Sequence, residues 1–520
     1  MATRRSSRSI ISLYGPPGVG KSRVGERLAG QLHLPFWDVD EEIRARSGMD
    51  IPAIFDEEGE TGFRRREKAV LHDLLSNPEG VLALGGGALL DPENRDWVES
   101  AGPIVCLQAP VEILLERLNQ SKDGRPLLVG DMSDRLQGLL TVRSDHYASF
   151  PITINAVRTL DQIVWEAQIR LGKFHVSGMG QAYDVHVQKD SLDLMGEKME
   201  LRGLHGPIAV VSDEHTSALY ANRVLDSLER AGYAGHAITI PAGEAQKNMQ
   251  TVAAVWDGFL KAAIERGSTV VALGGGVVTD LAGFAAATFL RGVAWVAVPT
   301  SLLAMVDASL GGKTGVDLPQ GKNLVGAFHP PRLVLADPLV LFSLPEVELR
   351  SGLAEVVKAG VIADQQLFTL CSQGWGAVQR ELVDVVRRAV AVKISVIEED
   401  PYEKGRRASL NLGHTIGHAI ELVSGFSLRH GEAVAIGMVA EARLAERLGI
   451  AQSGLADEIR RVLNVLGLPV EIPPALDRQA ILAAMQVDKK RHAGSMRFAL
   501  PAHIGDVKVG VEVNEEDVFL

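Results

Sequence analysis

Two histidines four residues apart, His414 and His418 in Asn411-Leu412-Gly413-His414-Thr415-Ile416-Gly417-His418-Ala419-Ile420-Glu421, are the first residues here whose type and spacing suit metal chemistry. On a helix they share one face, and His430, in His430-Gly431-Glu432, can return from a neighbouring element to add a third imidazole. The same spacing fits an ordinary surface helix, so the rest of the chain has to decide. Glu355, in Gly352-Leu353-Ala354-Glu355-Val356-Val357-Lys358, supplies the carboxylate that such a donor set lacks.

A second constellation lies near the amino end. Residues 10–14 read as a short buried strand that runs into Gly15-Pro16-Pro17-Gly18-Val19-Gly20-Lys21-Ser22, followed by a helical pattern over 24–32. This is G-x-x-x-x-G-K-S in the strand-loop-helix setting the motif requires. Gly15, Gly18 and Gly20 let backbone N–H groups turn in around phosphate oxygens. Lys21 reaches the β and γ phosphates, and the Ser22 hydroxyl can ligate Mg2+. ATP or GTP is the expected ligand.

Charged residues recur beyond this loop. Asp38 and Asp40 close an apolar segment, where strand alternation puts both on one face. Arg64 stands in Gly62-Phe63-Arg64-Arg65-Arg66-Glu67, and Gly85-Gly86-Gly87 ends a strand-like run. Arg125 lies in Asp123-Gly124-Arg125-Pro126, and Arg143 precedes Tyr147 by four residues. Singly, the arginine run fits a solvated helix face and the triple glycine a turn.

The elements that must position these groups read as alternating strands and helices. At 520 residues the chain exceeds one ordinary core, so two or three domains are expected. A hydrophobic content of 46% with only 5% aromatics suits α/β layers better than a β-sandwich. After a helical pattern over 161–171, residues 173–182 lack periodicity and read as a linker. Strands follow at 183–187 and 207–213, the second ending in Asp213; Glu244 and Lys247 then lead into a helix. A buried strand over 269–273 feeds Gly274-Gly275-Gly276, Val277 and Asp280, a turn that admits a pyrophosphate closely because it offers free N–H groups and no side chains. It lacks the G-x-G-x-x-G fingerprint.

Arg291, Thr300 and Ser301, Asp307, Lys313, and Lys322 with Asn323 come next, interleaved with glycine. That mixture points to a site on loops held by a sheet. Past residue 337 the pattern turns helical and carries Lys358, Lys393, Arg407 and Asn411.

Composition removes other classes. A net charge of -12 argues against a general nucleic-acid binder, while leaving room for a local basic pocket. The two cysteines exclude a disulfide framework and fit a reducing cytoplasm. No run of eighteen apolar residues exists, so no membrane-spanning helix is expected. The first eight residues are basic and Ser-rich like the start of a transit peptide, yet they pass straight into a strand and read as a frayed terminus.

Taken in order, the motifs over about residues 8 to 172 resemble shikimate kinase. That resemblance implies a P-loop α/β domain with a parallel sheet. Asp40, Arg64, Gly86, Gly87 and Arg143 would hold shikimate, Asp38 would sit near Mg2+, and Arg125 would close from a lid over the phosphoryl group. Asp40 could also orient or deprotonate the attacking hydroxyl.

From about residue 181 to 520 the chain resembles 3-dehydroquinate synthase. The resemblance implies an α/β NAD-binding domain over 183–337 and a mainly α-helical metal-binding domain over 338–520, behind a kinase domain over 1–172. It makes Glu355, His414 and His430 the ligands of Zn2+ (or Co2+). Asp307, Lys313, Lys322, Asn323, Lys358, Lys393, Arg407, Asn411 and His418 would face the substrate, with Arg291 and Lys489 or Lys490 toward its phosphate. Asp213, Glu244, Lys247, Gly275, Gly276, Val277, Asp280, Thr300 and Ser301 would hold NAD. The substrate implied is 3-deoxy-D-arabino-heptulosonate 7-phosphate, converted by hydride transfer to and from NAD, phosphate loss, and ring opening and closure. The family implies a homodimer through this half.

Two other readings compete. The second half could be a polyol dehydrogenase, which shares the two-domain plan, and the first third a nucleotide-binding module without catalysis. The lysines between 313 and 323 and Arg407-x-x-x-Asn411 favour a phosphorylated acid substrate over a simple alcohol. The set Lys21, Asp38, Asp40, Arg64, Arg125 and Arg143 favours a working kinase.

Overall fold

The computed structural model describes residues 9–120, 131–403, 405–491 and 496–518, with 486–491 and 515 described by backbone alone. The chain divides into two compact units, Met1–His175 and Val176–Leu520.

The first unit is built on five parallel strands: β1 (Ser9–Tyr14), β2 (Phe36–Asp38), β3 (Glu79–Ala83), β4 (Ile104–Gln108) and β5 (Ile152–Asn155), in the order β2-β3-β1-β4-β5. All six residues of β1 are buried, as a central parallel strand covered on both faces requires. Its alternation feeds two cores: Ile10 and Tyr14 enter one cluster, Ile11 and Leu13 the other. Because β1 is flanked by β3 on one side and β4 on the other, its carboxyl end is the crevice where an open α/β sheet binds ligands. The phosphate loop occupies that end. Gly15 is at φ 136, and a Cβ there would lie 2.3 Å from the Leu107 carbonyl oxygen, so only glycine fits.

In the second unit the main sheet runs β6-β7-β14-β11-β10-β8-β9. Its strands are β6 (Lys173–Val176), in which the division falls, β7 (Tyr183–Val187), β8 (Ile208–Asp213), β9 (Gly235–Ile240), β10 (Thr269–Gly274), β11 (Ala294–Pro299) and β14 (Leu333–Ala336). The pairings from β7 through to β9 are parallel. Between β11 and β14 the chain makes an antiparallel hairpin of β12 (Lys313–Leu318) and β13 (Gly321–Phe328), which presents the Lys313 to Asn323 segment. Long helices follow, among them Glu346–Ala363, Leu382–Glu399, His414–Val423 and His430–Arg447.

Three details differ from expectation. Residues 173–182, read as a linker, open on β6, where Phe174 and Val176 are buried; four residues are too few to show alternation in a sequence. The helical stretch 338–520 also carries a hairpin, β15 (Met496–His503) with β16 (Asp506–Val513). Residues 183–337 and 338–520 form one compact unit, tied by bonds such as Arg387 Nε donating to the Val187 carbonyl at 3.0 Å.

Two candidate active sites

In the first unit, Lys21 Nζ donates to the carbonyl oxygens of Gly15 (3.0 Å) and Pro16 (3.1 Å), folding back over its own loop. The Ser22 hydroxyl donates to Asp38 Oδ2 at 2.5 Å, which brings both residues expected near Mg2+ together. Asp38 Oδ1 accepts from the Asp40 and Glu41 N–H groups at 3.0 and 3.3 Å and so starts helix Val39–Ser47. Three donors converge on the Gly86 carbonyl: Arg143 Nη1 at 3.0 Å, and the hydroxyls of Tyr147 and Tyr14 at 3.1 and 3.2 Å. The triple-glycine turn is pinned by them.

Arg64 lies against the same turn. A Cβ on Gly87 would stand 2.7 Å from Arg64 Nη2, and one on Gly85 would stand 2.6 Å from Glu67 Oε1 and 3.6 Å from Asp40 Oδ1. Asp40, Arg64 and Arg143 therefore gather around the turn that carries Gly86 and Gly87. Arg64 donates to Glu67 Oε2 at 2.6 Å and to Glu60 Oε1 at 3.2 Å. Glu67 is fully buried, and burial raises its pKa despite Arg64. Arg125 lies outside the described residues.

In the second unit, His414 and His430 are the first residues of helices His414–Val423 and His430–Arg447, and Glu355 lies on Glu346–Ala363. One donor atom from each lies within 4.8 Å of the others. Nε2 of His414 and of His430 stand 3.6 and 3.7 Å from Glu355 Oε1, too far for hydrogen bonds. That oxygen is buried and accepts no hydrogen bond, while two imidazole nitrogens converge on it. A buried orphan carboxylate oxygen facing two imidazoles fits a divalent metal such as zinc. His418 stands beside this trio and outside it, its ring 5.0 Å from that of His414 and 5.8 Å from that of His430.

One lysine pairs with the trio, and other cations of this unit meet acidic or carbonyl partners. Lys358 Nζ donates to the Leu410 carbonyl at 2.8 Å and pairs with Glu355 Oε2. Lys393 Nζ donates to the Asp307 carbonyl at 2.7 Å and pairs with its carboxylate. Lys313 Nζ donates to Glu403 Oε2 at 2.8 Å, and Asn411 Nδ2 reaches Glu403 Oε1 at 3.5 Å. Arg407 is buried; its N–H donates to Asp400 at 3.0 Å and its guanidinium to the Pro401 carbonyl. Lys322 Nζ donates to Glu421 Oε1 at 2.8 Å.

Burial pulls the pKa of Glu355 up, yet Lys358 and the two imidazoles outweigh it and hold the group well below the usual carboxylate range. Burial lowers Lys393 in spite of Asp307. Arg291 is exposed, at φ 68, and makes no ion pair among the described residues. The side chains of Lys489 and Lys490 lie outside the described residues.

The residues assigned to NAD follow the carboxyl ends of β8, β9, β10 and β11. Gly276 and Val277 open helix Gly276–Thr288, with Gly275 as its cap and Asp280 one turn in. The Thr300 N–H donates to the Gly274 carbonyl at 2.9 Å, and a Cβ on Gly275 would touch Ser301 Oγ at 3.5 Å. Asp213 ends β8 and accepts from the N–H groups of His215 and Thr216 at 3.0 and 2.9 Å. Lys247 Nζ donates to Asp280 Oδ2 and to Asn323 Oδ1, both at 2.6 Å. Asn323, expected on the substrate, thus touches a residue expected on NAD. Glu244 is exposed, 3.7 Å from Lys322 Nζ.

Sequence reading missed several participants. Glu403 carries no local signal, because Lys313 and Asn411 meet it only in the fold. Glu67 stands beside Arg64, but a run of arginines and glutamates reads as a solvated helix. Glu421 had a signal: seven residues after His414, it falls on the same helix face.

This fold and these donor sets define an enzyme of two parts, a P-loop phosphotransferase unit followed by an α/β nucleotide and metal unit. The shikimate kinase family model matches residues 17–169. The 3-dehydroquinate synthase N-terminal and C-terminal models match residues 237–351 and 352–491. A 3-dehydroquinate synthase of Synechocystis sp. is 45% identical over 341 residues, 64% of this chain and 94% of the relative. That of Nostoc punctiforme is 46% identical over 340 residues, again 64% and 94%.

Among solved structures, 2-deoxy-scyllo-inosose synthase with carbaglucose-6-phosphate, NAD+ and Co2+ matches with a TM-score of 0.60 at 26% identity, covering 66% of this chain and 98% of that one. The 2-epi-5-epi-valiolone synthase of Streptomyces hygroscopicus subsp. jinggangensis, with NAD+ and Zn2+ bound, matches with a TM-score of 0.59 at 31% identity, covering 66% and 96%. The chain belongs to the 3-dehydroquinate synthase family, with a shikimate kinase region fused in front of it. No helix among the described residues is long and apolar enough to cross a membrane.

Proposed function

We propose that this chain is a bifunctional enzyme of aromatic precursor synthesis. Its first unit phosphorylates shikimate with ATP and Mg2+, and its second converts 3-deoxy-D-arabino-heptulosonate 7-phosphate to 3-dehydroquinate and phosphate with NAD and Zn2+ or Co2+. The observation that supports the synthase reading is the Glu355, His414 and His430 trio, with Lys358 paired to Glu355 and Lys322 joined to His430 through Glu421, in a unit that also holds Lys313, Lys393 and Arg407 on acidic or carbonyl partners. A simple alcohol has no use for five cations, whereas a carboxylate and a phosphate do. This disfavours a polyol dehydrogenase.

In the kinase unit, the loop N–H groups and Lys21 cradle the nucleotide phosphates, and Ser22 with Asp38 would hold Mg2+. Arg64 and Arg143 bind the shikimate carboxylate and Asp40 holds the attacking hydroxyl; the five-cation argument has its counterpart here in two fixed guanidinium groups. By the family resemblance alone, Arg125 would meet the transferred phosphoryl group.

In the synthase unit, Glu355, His414 and His430 would hold the metal, and Asp213, Lys247, Gly275, Gly276, Asp280, Thr300 and Ser301 the NAD. When bound, NAD accepts and returns a hydride and the metal polarises the substrate oxygen as a Lewis acid. Lys313, Lys322, Lys358, Lys393, Arg407 and Asn411 orient the anionic substrate. His418 stands where it can pass a proton without giving up a metal ligand. A homodimer through the synthase unit and a cytoplasmic location belong to this reading, the first from the family and the second from cysteine usage.

A paired assay on the full chain tests it, following shikimate-dependent ADP formation and phosphate release from the heptulosonate phosphate. Lys21→Ala should abolish only the first and His414→Ala only the second. Net NADH release with a simple alcohol, or loss of both activities in either variant, would overturn the assignment.

A further inference from the structure

Glu421 is used by neither the donor trio nor the cations as assigned above, yet it touches both. It lies on helix His414–Val423 with a side chain 9% exposed. Its two oxygens face different partners. Oε2 is 3.3 Å from His430 Nδ1, and Oε1 accepts from Lys322 Nζ at 2.8 Å. The opposite nitrogen of the same imidazole, Nε2, points at Glu355 Oε1.

An imidazole that ligates through Nε2 must keep its proton on Nδ1, and that proton needs an acceptor. Glu421 Oε2 is placed to accept it. A carboxylate in this position fixes the tautomer, holds the ring plane and makes the ligating nitrogen more basic. The other oxygen serves a different purpose. Lys322 stands on the β12–β13 hairpin, with Glu244 3.7 Å away and the Phe426 ring centroid at 4.6 Å. Its ammonium is aimed by Glu421 from one side and by the ring from another. A buried carboxylate satisfying a single cation would need only one of these contacts; here it splits between a ring on one helix and a lysine on a hairpin about a hundred residues earlier in the chain.

We propose that Glu421 is a positioning residue that ties the metal ligand His430 to the substrate-facing Lys322, so that one carboxylate sets both the grip on the metal and the placing of the cation. This rests on the reading that Glu355, His414 and His430 hold the metal and that Lys322 meets the anionic substrate. Glutamine at 421 would keep one acceptor oxygen and put an NH2 donor in place of the other, so it cannot accept from both His430 and Lys322.

The test uses the full chain with Glu421→Gln, Lys322→Met and the double variant, with zinc affinity measured by chelator competition. Glu421→Gln is expected to weaken zinc binding by roughly 10- to 100-fold, the range for loss of such a support. In zinc-saturated protein it should also raise KM for the heptulosonate phosphate, and the double variant should raise KM no further than Lys322→Met alone. Shikimate-dependent ADP formation should be unchanged, and parent-like circular dichroism and thermal unfolding report that the second unit is folded.

Zinc affinity within twofold of the parent would overturn the proposal, as would fully additive KM effects. If Glu421→Gln fails to fold, Glu421→Asp decides, its carboxylate one methylene short of His430 and Lys322: weakened zinc binding together with a raised KM supports the split role, and parent-like values of both remove it. His414→Ala separates the two levels. If that variant keeps stoichiometric zinc, the metal reading itself fails; if it loses zinc while Glu421→Gln does not, only the role of Glu421 fails.

Discussion

A Cβ on Gly431 would lie 1.9 Å from the carbonyl oxygen of Ser351. Gly431 directly follows His430, and Ser351 precedes Glu355 by one helical turn, so the bare glycine lets the two helices close until the donors meet. The Gly431 N–H donates to Ser351 Oγ at 3.2 Å across the same contact. Gly431→Ala is therefore expected to push the helices apart, costing about 1 to 3 kcal/mol as other overpacked contacts do. It should also release the metal. Thermal unfolding and zinc content check this together; parent stability with stoichiometric zinc would contradict it.

His418 shares a helix face with His414 but stands outside the trio. His418→Ala should leave zinc content near that of the parent and lower kcat of phosphate release by roughly 100-fold or more, the scale of a lost acid-base group. An empty metal site would return His418 to the ligands.

Glu67 is the buried partner of Arg64. Glu67→Ala leaves that guanidinium only its more exposed partner Glu60 and should cost the kinase unit about 2 kcal/mol, with KM for shikimate raised. Glu67→Gln keeps an acceptor and should lose less. Equal effects of the two variants on KM would show that Arg64 is held by other groups.

Asp280 provides a pH test. Burial raises its pKa to about 6, against the pull of Lys247. A carboxyl whose folded pKa lies above its unfolded value stabilises the fold at low pH, and that contribution is lost as pH rises through about 6. The change is about 3 kcal/mol between roughly pH 4 and pH 6. Asp280→Asn lacks this titration, so its stability relative to the parent should improve over that interval. Denaturant unfolding at several pH values measures the difference, and a pH-independent gap would refute the assignment.

Much of this was legible because its signals are local. The phosphate loop is eight consecutive residues whose strand and helix flank it directly, and the buried run of β1 and the i, i+4 histidines need only neighbouring chain. The boundaries were less legible. A four-residue strand such as β6 is too short to show a period, and the β15–β16 hairpin lies among helical patterns that dominate their windows.

By itself the sequence determined the chemistry available: a phosphate loop with its Mg2+ partners, a glutamate and histidines of metal-binding type, and an excess of lysines and arginines around them. Residue types and short-range periodicity suffice for that. Only the tertiary structure decided the pairings. Asn323 meets Lys247 across 76 residues, Lys313 meets Glu403 across 90, and Glu421 joins Lys322 to His430. These contacts depend on how the hairpin and three helices pack, which is set by the volume of residues such as Gly431 and leaves no periodic trace in the chain.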